Sequence, residues 1–244
     1  MAARPLPVPA VNLLLQPSPL LDFDHPAIEQ LVQGRHWLYL PPAERIRAAY
    51  DFVRNEIVFG YNASDDVPAS QVLADGHGQC NTKATLFMAL LRRLGLPCRL
   101  HGFTIDKALQ AGALPAPIQS LAPREILHSW VEVQHQGRWI ALEGLILDDH
   151  YLASLQRRFA RQGGPFCGYG AATPNLQTVA VQWRGQDTFI QREGIRQDFG
   201  LFNTPDAFYA QQGVNLRGPR RWLFERLLRP RINAHVARIR RGEW

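Results

Sequence analysis

The chain has 244 residues, a formal net charge of +6, 46% hydrophobic residues and 20% charged ones. That usage argues against a disordered, collagenous or coiled-coil protein and suffices for one sizeable core. Three cysteines (Cys80, Cys98, Cys167), odd in number and without a CxxC pair, argue against a disulfide framework and a cysteine-based zinc site. The charge is uneven: residues 217–244 hold nine arginines against Glu225 and Glu243, a balance of +7, so residues 1–216 sit at −1. A basic terminus can meet nucleic acid or acidic lipid, or it can be the solvated face of a docked helix.

Residues 1–20 carry prolines at 5, 7, 9, 17 and 19 and read as an extended arm. The longest apolar run there, Val11 to Leu15 with Asn12 inside it, is too short for a signal peptide. No stretch of 18 apolar residues occurs, so no membrane span and a cytoplasmic location are expected. Pro41-Pro42-Ala43-Glu44 opens a helix in which Ile46, Ala49, Tyr50, Val53 and Ile57 recur at helical spacing. A polar loop (62–68) and a short helical turn (69–73) lead to Asp75-Gly-His-Gly-Gln79, a glycine-rich turn. A strong helix follows over 80–94, with Ala84, Phe87, Leu90, Leu91 and Leu94 as its buried stripe and Gly95 and Pro97 as its stop. Residues 99–105 read as a strand and 108–124 mostly as loop. Alternating segments 129–133 and 139–145 around Gln134-His-Gln-Gly137 predict a hairpin. A helix is expected over 151–161, a second glycine-rich loop over 163–170, and short strands within 176–199. From Pro219, two arginine-rich amphipathic pieces run to Arg241, broken near Pro230, with Leu223, Leu227, Ile232, Val236 and Ile239 as the apolar stripe.

The informative constellation is a cysteine at a helix start, a histidine opening a strand and an acid on the next strand. At Cys80, unpaired backbone N–H groups and the helix dipole favour a thiolate and can hold an oxyanion. A thiol nucleophile needs a base within reach, and the base needs an orienting group. His128, in His128-Ser-Trp-Val-Glu-Val133, is the candidate base. A four-residue hairpin loop puts Glu143 directly opposite His128. A two-residue turn at Gln136-Gly137 makes it the same-face diagonal neighbour. A three-residue loop puts it on the other face unless a bulge corrects the register. Asp148 and Asp149 are alternative acids. The pairs Asp65-Asp66 and Asp148-Asp149 read as surface carboxylates, since no calcium-loop spacing accompanies them.

The segments Tyr50-Asp-Phe-Val-Arg54, Ala69-Ser-Gln-Val-Leu73, Gly78-Gln-Cys80, Leu90-Leu-Arg-Arg-Leu-Gly-Leu-Pro97, His128-Ser-Trp-Val-Glu-Val133 and Gly137-Arg-Trp139 stand in order over roughly residues 41–150. Together they resemble the transglutaminase-like superfamily of papain-like thiol enzymes, as a stand-alone bacterial member. The resemblance implies an α+β fold, with a nucleophile helix packed on an antiparallel β-sheet and extra C-terminal helices. It implies an N-terminal arm and helix (1–40), a core (41–162) and a C-terminal extension packed on that core and ending in basic helices (163–244), together one structural domain. It implies acyl chemistry on a protein, peptide or small amide, by hydrolysis or transfer to an amine, with no cofactor and no metal. Carried over by position, Cys80 is the nucleophile, His128 the base and acid, and Glu143 the orienter. Gln79, Tyr61 and Gly78 are the candidates for holding the substrate or its oxyanion. Two positions depart from the family pattern: Glu143 stands for the usual aspartate, and Gln79 for a frequent tryptophan. The alternative is a catalytically silent binding module that engages an acidic partner or nucleic acid through the basic C-terminus. No nucleic-acid motif accompanies that terminus, so nucleic acid is not the expected partner.

Overall fold

The computed structural model describes residues 13–121, 123–216 and 218–244; the proline arm over 1–12 lies outside them. The fold is α+β, built around one helix. After helix α1 (Pro26–Gly34) and helix α2 (Pro42–Asn55), a two-residue strand β1 (Val58–Phe59) lies parallel to β2 (His77–Gly78), with helix α3 (Ala69–Asp75) between them. Helix α4 (Cys80–Arg93) follows, then β3 (Cys98–Asp106), a short helix α5 (Ala116–Leu121), and the hairpin of β4 (Glu125–His135) and β5 (Arg138–Leu142). Helix α6 (Asp149–Arg158), the small hairpin β6 (Phe166–Gly168) and β7 (Ala171–Thr173), and strand β8 (Ile195–Phe202) complete the middle of the chain. Helices α7 (Pro205–Gln212) and α8 (Gly218–Leu223) lead through a π-helical turn (Phe224–Leu228) into α9 (Arg229–Arg241). Strands 5-4-3-8 form one antiparallel sheet.

Helix α4 differs from the one-sided helix its apolar stripe predicts: every residue from Asn81 to Arg92 is buried. It is clamped between the sheet and helices α2 and α3, so its polar positions need internal partners. Lys83 finds the carbonyls of Arg54 (3.2 Å) and Ile146 (2.9 Å), and its burial pushes its pKa well below the usual lysine range despite Asp148. Arg92 reaches the carbonyls of Gln16 and Asn203, which ties the N-terminal segment and the approach to α7 onto the same helix.

The hairpin resolves the register question. The pairs Val131↔Leu142 through His135↔Arg138 place Gln136 and Gly137 as a two-residue turn. Their φ values of 49° and 76° are the positive pair that a type I′ turn requires. The predicted second strand is shorter than the alternation suggested, ending at Leu142. The C-terminal pieces form a continuous helical run rather than two separated ones, with Pro230 accommodated in the first turn of α9. Of their predicted apolar stripe, Ile232, Val236 and Ile239 are buried, whereas Leu223 and Leu227 are exposed. Among the described residues, no helix is long and apolar enough to cross a membrane.

Candidate active site

Gly78 lets the chain pass tightly against α4: a Cβ there would fall 2.8 Å from Thr82 Oγ1 and 2.9 Å from Lys83 Cγ. Its glycine is explained by that close approach. Gln79 then caps α4, and Cys80 is the first helical residue, partly exposed. The Gln79 side chain braces the turn at both ends. Its Oε1 accepts from the Asn62 backbone N–H (2.9 Å), and its Nε2 donates to Asp65 Oδ1 (3.3 Å).

Asp65 is no surface carboxylate. It is buried, and beyond Gln79 it accepts from Asn81 Nδ2 (3.1 Å) and Asn215 Nδ2 (2.8 Å). Asn81, next to Cys80, also donates to the Leu127 carbonyl (3.0 Å) and accepts from Ser129 Oγ (3.0 Å). Those contacts fall on either side of His128, so the residue after the nucleophile pins α4 to the strand carrying the histidine.

His128 is fully buried on β4, with Phe103 of β3 beside its ring. Its Nε2 meets Glu143 Oε1 at 2.6 Å, in the diagonal arrangement of the two-residue turn. The second oxygen of Glu143 accepts from the backbone N–H groups of Ile190 and Gln191, both at 2.8 Å. Nδ1 of His128 is buried and has no hydrogen-bond partner among the described residues, and the charge of Cys80 also acts on the ring. Burial alone would lower the His128 pKa, but Cys80 and Glu143 outweigh it and raise it from 6.5 to about 10. The sign matters. A histidine pKa raised on folding contributes stability that is complete below about 6.5 and is lost as pH rises through the folded value. The His128 ring is therefore expected to stay protonated through neutral pH in a ring-proton NMR titration; a midpoint at 6.5 would contradict the arrangement.

The other two acids do not reach the histidine. Asp148 is buried, caps α6 through the Tyr151 N–H and is held by Arg240 of α9; Asp149 pairs with Arg54. Of the three residues nominated to hold substrate or oxyanion, Tyr61 has the uncommitted group. Burial first, and the charge of Cys80 second, push its phenol above its usual range, so it stays a neutral O–H donor.

Cys80 lines a cavity of about 420 Å³. One wall comes from Phe59, Tyr61 and Leu114, and the other from Leu223, Phe224, Leu228 and Ile232 in the C-terminal run. The basic terminus is thus a wall of this cleft as well as a charged appendage, which its composition did not reveal. Ile190, Gln191 and Asn215 also escaped the sequence reading, because no local motif marks a backbone donor or a distant latch. Asn81 could have been found from its place beside Cys80.

A helix-start cysteine and a buried histidine–carboxylate pair on an antiparallel sheet thus stand together at the cavity. Residues 30–144 match the family model of the transglutaminase-like superfamily. No curated protein matches the chain. A solved structure of a protein from Cytophaga hutchinsonii, provisionally described as a cysteine protease, is similar over 86% of this chain and 52% of its own, with a TM-score of 0.47 and 14% identity. The chain thus spans about half the length of that protein.

Proposed function

We propose that the chain is a thiol enzyme of acyl transfer acting on an amide, with Cys80 as nucleophile, His128 as acid and base, and Glu143 as the group that holds the imidazole. The observation that carries this reading is the buried His128–Glu143 contact at 2.6 Å, together with Cys80 at the start of α4, whose charge acts on the ring. The proton of Cys80 passes to His128, and the sulfur is the nucleophile. The sulfur attacks the amide carbon, and the electron pair of the carbonyl moves onto oxygen. In this reading the first-turn N–H groups of α4 and the Tyr61 hydroxyl receive that oxyanion. As the C–N bond breaks, His128 gives its proton to the leaving amine, leaving an acyl thioester on Cys80. Water or a second amine then gives a proton to His128 and attacks the thioester, which frees the product and restores the thiolate–imidazolium pair.

A binding-only reading would be favoured by a closed cleft and a thiol beyond reach of His128. Cys80 instead lines an open cavity, and its charge is felt by the His128 ring.

Mild alkylation with iodoacetamide, read by peptide mass spectrometry, tests the proposal. Cys167 is the most exposed of the three thiols, but burial raises its pKa, and burial pushes Cys98 to about 11. Cys80 is expected to react on the order of 100-fold faster than either at neutral pH, and His128→Ala is expected to remove that advantage. Labelling of Cys80 no faster than Cys167, or indifferent to His128→Ala, would sink the activated-thiol reading.

A further inference from the structure

The C-terminal helical run turns one side into the cavity and leaves another to solvent. Phe224, Leu228 and Ile232, at intervals of four, line the cavity. The two rows beside them at the same interval, Trp222, Arg226 and Pro230 and then Leu223, Leu227 and Arg231, are all exposed. Trp222 is 62% exposed, Leu227 46% and Leu223 42%, so three large apolar side chains stand close together in solvent. A clustered apolar patch of this kind marks a surface that meets something else. The arginines of the run are sorted along it. Those toward its end are paired: Arg238 and Arg241 with Glu243, and Arg240 with Asp148. At its start only Arg221 reaches a carboxylate among the described residues, Asp66 at 3.5 Å; Arg220, Arg226 and Arg231 have none. Glu225 is the only acid from 218 to 231, and it stands outside the exposed rows. The unpaired part of the basic excess therefore coincides with the exposed apolar side chains.

We infer that this face docks the protein on an anionic lipid surface, with Trp222, Leu223 and Leu227 inserted at headgroup level and Arg220, Arg226 and Arg231 on the phosphates. Arginines beside exposed Trp and Leu on one helical face are the pattern of a helix that lies in the membrane interface without spanning it. Charge complementarity accounts for the arginines, and the apolar side chains decide the occupant. A lipid surface offers a negative layer and an apolar interior together, whereas a nucleic-acid backbone or an acidic peptide offers the charge alone. Arg220 and Leu223 also line the cavity, so the docked surface borders the cleft of Cys80. The inference stands whether or not Cys80 performs acyl transfer.

The test titrates the full chain, by co-sedimentation, with vesicles of phosphatidylcholine alone and with vesicles of phosphatidylcholine and phosphatidylglycerol in equal parts. Binding on the order of 100-fold tighter to the mixed vesicles is expected from the arginines at the surface. Trp222→Ala is expected to weaken that binding about tenfold, through lost apolar burial. Arg226→Gln together with Arg231→Gln is expected to weaken it roughly 30-fold. These three side chains are exposed and outside the cavity lining, so the rate of Cys80 alkylation is expected to stay at the parent's value in both variants. Equal binding to the two kinds of vesicle, or none to either, overturns the inference without recourse to any variant. So does a Trp222→Ala affinity equal to the parent's, since charge alone would then hold the protein. Duplex DNA and polyglutamate, titrated alongside, carry negative charge without an apolar interior. Binding of either at least as tight as binding to the mixed vesicles assigns the face to that class of macromolecule and overturns the inference.

Discussion

Glu143→Gln is expected to lower the rate of acylation on the order of 10⁴-fold while leaving the fold intact, the scale seen when a triad carboxylate becomes an amide elsewhere. The reason lies in how the two oxygens of Glu143 are used. One accepts from the backbone N–H groups of Ile190 and Gln191, and the other from His128 Nε2. A glutamine has one acceptor end, and two backbone donors compete for it. Its NH₂ then faces His128, which forces Nε2 to become the acceptor and puts the ring proton on Nδ1. A neutral ring in that tautomer presents N–H rather than a lone pair toward Cys80 and cannot take the thiol proton. The measurement is the burst of nitrophenol from a 4-nitrophenyl ester, with circular dichroism to show an unchanged fold. A burst within threefold of the parent would remove Glu143 from the mechanism.

The second large effect concerns stability. Arg240 donates to both oxygens of Asp148 at 3.0–3.1 Å and to the Phe59 carbonyl at 2.6 Å. Burial alone would raise the Asp148 pKa, but Arg240 and the N–H groups of Phe59 and Tyr151 outweigh it and hold the carboxyl below its usual range. Arg240→Met strands that charge, at a cost of about 3–5 kcal/mol. For a chain of this length the melting temperature should fall by roughly 10 °C or more. Adding Asp148→Asn should recover part of the loss, since it removes the stranded charge. The sign with pH follows from the depressed carboxyl: its stabilisation is present above pH 3.8 and fades as pH falls through the lower folded value. Arg240→Met should therefore be worst near neutrality and close to the parent in strong acid. A melting temperature within the error of the parent at neutral pH would show that the ion pair contributes nothing net.

How much of this was legible in the chain varies with the range of the cause. The start of α4 was readable because the glycine turn, the polar cap and the apolar run lie within a few residues of one another. The meeting of His128 with Glu143 was readable as a short set of registers, because a hairpin ties the two residues together by local geometry. The choice among those registers fell to Gln136, a non-glycine residue at positive φ, which its residue type does not announce. The all-round burial of α4 was not readable, since Lys83 and Arg92 look like solvent residues until distant carbonyls are found for them. Nor was the clamp on Glu143: its donors lie 47 and 48 residues further on, and any residue but proline supplies a backbone N–H. The basic terminus was misleading for the same reason. Composition counted its arginines, but only the packing shows that Arg240 turns inward and that Arg241 pairs with Glu243.

The dependence of Glu143 on Ile190 and Gln191, and of the cavity on residues 223–232, sets an order of events during synthesis. Cysteine, histidine and acid all leave the ribosome well before the backbone donors and the far wall exist. A nascent chain that stops short of residue 190 carries the thiol, the imidazole and the carboxylate but lacks the backbone donors that hold Glu143 against His128. The clamp on Glu143 and the far wall of the cavity therefore form only once the late segments have folded back. Residues 30–144 cut out alone would be expected to keep the signature of the family without its reactivity.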